Sequence, residues 1–151
     1  KTGVRTFEVA AFLKRSGAEV TRVRKMFRNY MACYKAIAEA VRHAEVYRGS
    51  FAISVCPSEN VESPTIVGAQ AANELLNIIG INASFVLTEY NDKIYISSRS
   101  IDEINVQIIM EKLGGGGHLN VAGAQLTGVT IVQAKRMIQD TLDEMLKEGD
   151  I

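Results

Sequence analysis

Four consecutive glycines, Gly114-Gly115-Gly116-Gly117, followed at once by His118, constrain this chain more than any other stretch. Glycine loses more backbone freedom on folding than any other residue, so a run of four is costly to order. A folded domain keeps one where backbone must approach something closely or where several N–H groups must converge. A cradle of glycine N–H groups with one histidine at its lip reads as an anion site. A flexible linker or an extended helix C-cap would also use glycine here. The flanks weigh toward a built site: they are apolar rather than Ser/Gly-rich, and Arg99 stands upstream between Ser98 and Ser100.

Around that stretch lies a chain of 151 residues with net charge zero, unevenly spread. Residues 1–48 carry 11 Lys/Arg against 4 Asp/Glu, and residues 49–151 carry 6 against 13. The basic segment could bind nucleic acid or membrane. Docking on an acidic neighbouring domain is the stronger expectation. No apolar run approaches the roughly 18–20 residues of a membrane span, so this piece is expected to be soluble. It starts at Lys1 rather than Met, with no signal peptide, and reads as part of something longer. Cys33 and Cys56 are isolated in apolar surroundings, which predicts two buried thiols in a reducing compartment.

The periodicity predicts a short helix over 6–15 stopped by Gly17, then one long helix over 21–47. The second helix carries Val23, Met26, Phe27, Tyr30, Tyr34, Ile37 and Val41 at helical spacing. His43 within it reads as a surface residue without a role. A strand follows over 51–56. Ser63-Pro64 then opens a helix whose inward residues would be Ile66, Ala69, Ala72, Leu75, Leu76 and Ile79, ending at Gly80. Strands over 82–90 and 93–99 pair through an Asn91-Asp92 turn. Ser100 to Glu103 has capping-box spacing and predicts a helix starting directly after Arg99 and running into the glycines. A strand over 122–126 and a helix capped by Thr130 and Gln133 complete the chain. That last helix turns Ile131, Ala134, Ile138, Leu142 and Met145 inward.

From residue 50 the order is β-α-β-β-α-β-α, an α/β fold: a compact domain with a mixed β-sheet flanked by helices, preceded by a helical linker. If the sheet gathers its strand ends, Ser98, Arg99, Ser100, the glycine N–H groups and His118 meet at one place. Arginine offers a planar fork suited to phosphate, and serine hydroxyls add donors. The set reads as phosphate or nucleotide recognition. No metalloprotease motif, nucleophile elbow or Walker lysine accompanies it, so catalytic and metal-ligating residues are expected to be absent.

Gly114 to His118 with Ala122-Gly123 after them, and Ser98-Arg99-Ser100 upstream, resemble the substrate-binding DHH-associated domain of DHH-family phosphoesterases. In that family a catalytic domain, named for its Asp-His-His motif and binding two metal ions, usually manganese, is joined to this smaller domain by a helical linker. The string from Glu103 to Leu113 is similar to the membrane-anchored cyclic-di-AMP phosphodiesterases of Gram-positive bacteria, and Thr2 to Glu8 resembles the end of their DHH domain. The resemblance implies three parts: 1–18 as the end of the DHH domain, 19–48 as linker, 49–151 as the DHH-associated domain. It implies Ser98, Arg99, Ser100, Gly114, Gly115, Gly116, Gly117 and His118 as substrate-binding residues.

The same resemblance implies a parent enzyme on the cytoplasmic face of a membrane that hydrolyses cyclic di-AMP to linear pApA. Manganese would sit in the parent's DHH domain and none in this piece, which would be inactive alone. Partners would be a cyclic dinucleotide or short oligonucleotide, the DHH domain of the same chain, and a second copy in a homodimer. The rival readings are a RecJ-like or oligoribonuclease-type phosphoesterase acting on short single strands, and a non-catalytic RNA-binding module. Long-strand binders combine an extended basic groove with stacking aromatics. The acidic balance of residues 49–151 favours a small ligand instead.

Overall fold

Residues 3–28, 30–101 and 104–151 are described in a computed structural model of the chain. The chain divides into two units, residues 1–30 and 31–151. The first holds α1 (Val4–Arg15) and α2 (Val20–Met26), neither with a buried residue. Gly17, at φ +98°, stops α1 where expected.

The second unit begins with α3 (Met31–Arg42), followed by β1 (Glu45–Tyr47) and β2 (Phe51–Val55). The single long helix expected over 21–47 is therefore not formed. It is interrupted between Met26 and Met31, and its last residues are strand. Glu45 to Tyr47 pair antiparallel with Phe51 to Ile53, across a turn in which Arg48 and Gly49 both take positive φ. The Val46-Tyr47 pair suits a strand, and sheet pairing overrides the helical spacing. Three residues of α3, Cys33, Ala36 and Ala40, are buried, so this helix is part of the domain's own core.

The rest is α4 (Pro64–Leu75), β3 (Ala83–Tyr90), β4 (Lys93–Ser100), α5 (Val106–Lys112), β5 (Gly116–His118), β6 (Val121–Thr127) and α6 (Ile131–Glu148). The six strands form one mixed sheet in the order β1-β2-β3-β4-β6-β5, with β2 and β3 its parallel pair. Helices flank it as predicted, with two added strands: β1, from the end of the expected long helix, and β5, made from the glycines themselves. Asn91 and Asp92 both take positive φ in the β3–β4 hairpin, and Thr130 and Gln133 form both halves of the capping box.

Two helix readings need correction. Pro64 does open α4, but the Ser63 side chain makes no cap hydrogen bond, and the helix ends at Leu75. It turns Val67, Gly68, Ala71, Ala72 and Leu75 inward, leaving Ile66 and Ile79 exposed. The helix expected directly after Arg99 starts later, at Val106, where the Asn105 side chain accepts the Gln107 N–H at 3.0 Å. Ser100 belongs to β4. Asp102 and Glu103 lie outside the described residues.

Cores form on both sides of the sheet. One joins Phe51, Ile53, Phe85, Leu87, Ile94, Ile96 and Ala122 to Val106, Ile109 and Met110 of α5 and Ile138, Leu142 and Met145 of α6. The other joins Ala52, Cys56 and Val86 to α3 and α4. Both cysteines are free and buried in this second cluster, and burial pushes the Cys56 thiol up to about 11. Each large apolar side chain so buried stabilises by about 1.5–3 kcal/mol before entropy is counted.

Candidate functional site

The second core covers only part of its face. Along β4, Ile94, Ile96, Ser98 and Ser100 are buried, while Tyr95, Ser97 and Arg99 between them are partly open. Along β6, Ala122, Ala124 and Leu126 are buried, and Val121, Gly123 and Gln125 alternate outward. Successive side chains of a strand point to opposite faces. One face of β4 and β6 is thus packed against α5 and α6, and the other is an open floor.

Register places the predicted residues on that floor. Arg99 is opposite Val121, and Val121 is opposite His118. Directly opposed residues share a face, so Arg99, Val121 and His118 form one row across three strands. Two strand spacings put Arg99 and His118 about 10 Å apart at the backbone. Ser97, Gly123 and Gly116 make the next row. His118 is exposed, and Arg99 is half-buried. The Arg99 Nε donates to the Asn73 side-chain oxygen at 3.1 Å, and Nη1 donates to the Ser98 carbonyl at 2.8 Å. Burial pulls the Arg99 pKa down from its ordinary value, yet arginine remains charged. A desolvated, oriented cation of this kind gains more from an anion than a free surface arginine does.

Ser98 and Ser100 do not join this row. Their side chains are on the packed face, where Ser98 Oγ donates to the Ala122 carbonyl at 2.9 Å and Ser100 Oγ to the Ile104 carbonyl at 2.6 Å. Ser100 also accepts from the Asn120 amide at 3.2 Å, and its N–H donates to the Asn120 carbonyl. The Val106 N–H holds the Leu119 carbonyl at 2.9 Å. These bonds fix the Leu119-Asn120 turn, and with it the position of His118. The two serines build the site without facing it.

The glycines divide into two tasks. Gly114, at φ +78°, is the left-handed residue that ends α5. Its N–H returns to the Glu111 carbonyl and that of Gly115 to Met110, the paired bonds of a Schellman cap. Those two N–H groups are taken, so they cannot cradle an anion. A Cβ on Gly115 would run into the Gly123 carbonyl and the Ala124 Cα, and one on Gly117 into the Ala122 Cα at 2.5 Å. Gly123 in turn has the Ile96 carbonyl 2.8 Å from where its Cβ would be. Gly116 alone among these borders open space without needing positive φ.

A cleft of about 420 Å³ lies beside the row, lined among others by Thr65, Tyr95, Ser97, Gly115, Gly123 and Gln125. Sequence reasoning passed over Tyr95, Gln125 and Asn73. The two-residue alternation of Lys93 to Arg99 and of Val121 to Thr127 carries the signal for the first two. Asn73 could be found only from the packing of α4. Among the described residues no three His, Cys, Asp or Glu side chains are grouped to hold a metal ion. No helix among them is long and apolar enough to cross a membrane.

A mixed six-stranded sheet with helices on both sides defines an open-sheet α/β domain. The chain belongs to the DHHA1 domain family, whose profile matches residues 49–148. It is 40% identical over 148 residues to the cyclic-di-AMP phosphodiesterase PdeA of Listeria monocytogenes, covering 97% of this chain and 22% of that protein. It is 36% identical over 151 residues to the cyclic-di-AMP phosphodiesterase GdpP of Bacillus subtilis, covering 99% and 23%. The chain thus spans under a quarter of the length of these relatives. An exopolyphosphatase-related protein from Bacteroides fragilis has the same fold, with a TM-score of 0.80 at 20% identity over 95% of this chain and 44% of that one.

Proposed function

We propose that this chain is the substrate-binding part of a phosphodiesterase that opens cyclic di-AMP to linear pApA. The observation that carries the reading is the row of Arg99, Val121 and His118 on a sheet face that α4 covers only in part. Arg99 and His118 bracket the Val121 side chain, and in the next row the side-chain-free Gly116 and Gly123 let a phosphodiester lie close to the backbone. Arginine supplies a fixed fork for phosphate oxygens, and histidine a ring donor from the other side. Identity of 36–40% to cyclic-di-AMP phosphodiesterases along nearly the whole chain supports this substrate over others.

The chemistry belongs to an upstream DHH domain, where two metals would activate water for attack on phosphorus. What this chain contributes is orientation, which can lower a barrier by several kcal/mol when the reacting groups are held in line. Residues 1–18 are the end of that catalytic domain in this reading, and residues 19–48 the connection to it, of which α3 and β1 also pack into the domain's own core and sheet. The exposed Phe7, Phe12, Leu13 and Val20 support a docking role for α1 and α2. The parent would be anchored in a membrane with this part on the cytoplasmic face.

A second reading, binding of short single-stranded oligonucleotides, is favoured by 35% identity over 71 residues to the bifunctional oligoribonuclease and PAP phosphatase NrnA of Thermus thermophilus, covering 46% of this chain and 22% of that protein. Calorimetric titration with cyclic di-AMP, pApA and a short RNA separates the two. Tightest binding to the dinucleotides is expected. A preference for RNA that grows with strand length would transfer the assignment to the second reading.

A further inference from the structure

We propose that the cleft beside the Arg99 row is a nucleobase subsite, with Tyr95 as its stacking platform and Gln125 as the side chain that reads the base edge. The inference rests on the nucleotide reading above and extends it from the phosphate to the base. Tyr95 and Gln125 are directly opposed across β4 and β6, on the same open face as Arg99. Opposed side chains have Cβ atoms about 5 Å apart, so one base can lie on the ring and meet the amide together. Thr65 of α4 and Ser97 add hydroxyls at the cleft wall, and Gly115 and Gly123 leave its floor flat.

Charge divides the groove along its length. None of the residues lining the cleft is ionisable except through the tyrosine hydroxyl, whereas Arg99 and His118 stand at the other end. A neutral, aromatic-walled cleft beside a cationic row matches the two halves of a nucleotide. Tyr95 is four residues from Arg99 along one strand, about 13 Å, with Ser97 midway, which leaves space for a ribose between base and phosphate. A volume near 420 Å³ is within the usual range of ligand sites, roughly 300–1,000 Å³. Gln presents a donor and an acceptor side by side, the pattern that pairs with the N6 and N7 positions of adenine.

The test is an isotope-edited NMR titration of the full 151-residue chain with AMP, ribose 5-phosphate and adenosine, repeated on Tyr95→Ala, Tyr95→Phe and Gln125→Ala. AMP should bind about tenfold or more tightly than ribose 5-phosphate, the surplus being base stacking. Tyr95→Ala should bring AMP down to the level of ribose 5-phosphate and leave the latter unchanged, while Tyr95→Phe keeps the surplus. Gln125→Ala should lower the preference for AMP over ribose 5-phosphate. Equal affinity for AMP and ribose 5-phosphate in the unaltered chain overturns the subsite and leaves the phosphate reading intact. Parallel losses for both ligands in Tyr95→Ala assign the tyrosine a structural role and also overturn it. Adenosine binding that survives Arg99→Ala, with no binding of ribose 5-phosphate, supports the subsite and removes the phosphate row instead. Binding of none of the three overturns both.

Discussion

β3 and β4 are adjacent, equally long and joined by a two-residue turn, yet their surroundings differ. From Ala83 to Thr88 every residue of β3 is buried, because α3 and α4 cover one face and α5 and α6 the other. On β4 every second residue is buried. The sequences follow suit: β3 runs Phe85-Val86-Leu87 without a break, while β4 alternates Ile94, Tyr95, Ile96, Ser97. A strand covered twice can be apolar throughout, and one covered once must alternate. The lesson is that the site arises where the helical cover runs out. One face of β4 holds the domain together and the other is left for a ligand.

The contrast is open to attack at several points. The largest effect is expected from Gly115→Val. Its side chain would have to displace the Gly123 carbonyl and the Ala124 backbone, which has no room to yield. A loss on the order of 3 kcal/mol or more follows from such overpacking. Chemical denaturation checks it, and native-like stability would mean that the α5–β6 contact is looser than described.

Next come the two ends of the row. Arg99→Ala and His118→Ala should each weaken binding of cyclic di-AMP or pApA about tenfold or more, since a hydrogen bond to a charged group contributes about 1.5–3 kcal/mol. Stability should change by no more than about 1 kcal/mol, the Arg99 bond to Asn73 being the main loss. Calorimetry and melting curves together decide. Equal affinities with both alanines would leave the open face without a ligand role.

Gly116→Val sharpens the comparison with Gly115. A Cβ at this position meets nothing within 4 Å, so folding should be nearly unaffected, within about 0.5 kcal/mol. Affinity should nevertheless fall, because the branched side chain would stand on the strip that a phosphodiester must approach. A variant that binds as well as the unaltered chain would move the ligand off β5.

The smallest effect is electrostatic and far from the row. Arg48 holds the Asp143 carboxylate through two hydrogen bonds of 2.8 and 2.7 Å, which lowers the Asp143 pKa from its ordinary value. A carboxyl depressed in the folded state stabilises above its unfolded pKa, and that contribution is lost as pH falls through the folded value. Melting temperature should therefore fall more steeply in the unaltered chain than in Asp143→Asn once the pH drops below about 4. Parallel curves would mean that the pair contributes nothing in solution.

Much of this was legible in the residues. Asn91-Asp92, Thr130-Gln133, Gly17 and Pro64 each act through local backbone chemistry, and each marks the boundary it should. Arg99 and His118 could be singled out by type, and the structure sets them in one row. The failures share a cause. β1 and β5 exist only because β2 and β6 pair with them, and no local signal specifies a partner elsewhere in the chain. Position alone groups the two serines with Arg99, although a strand's two-residue period sends neighbours to opposite faces. The glycine run reads as a set of donors to a ligand, whereas Gly114 and Gly115 spend their N–H groups on α5 and Gly115, Gly117 and Gly123 let backbones touch.

The strand order has a bearing on how the chain assembles. β4, β5 and β6, with α5 between them, come from the single stretch 93–127, and each pairing among them is antiparallel. β2 and β3 are parallel and can meet only after α4 has carried the chain across the sheet. Short closures cost less entropy than long ones, so local hairpins form ahead of crossover pairings. The β3–β4 and β5–β6 hairpins can therefore organise before the parallel β2–β3 pairing is complete, so the rim strand built from the glycines does not wait for the twice-covered half of the sheet.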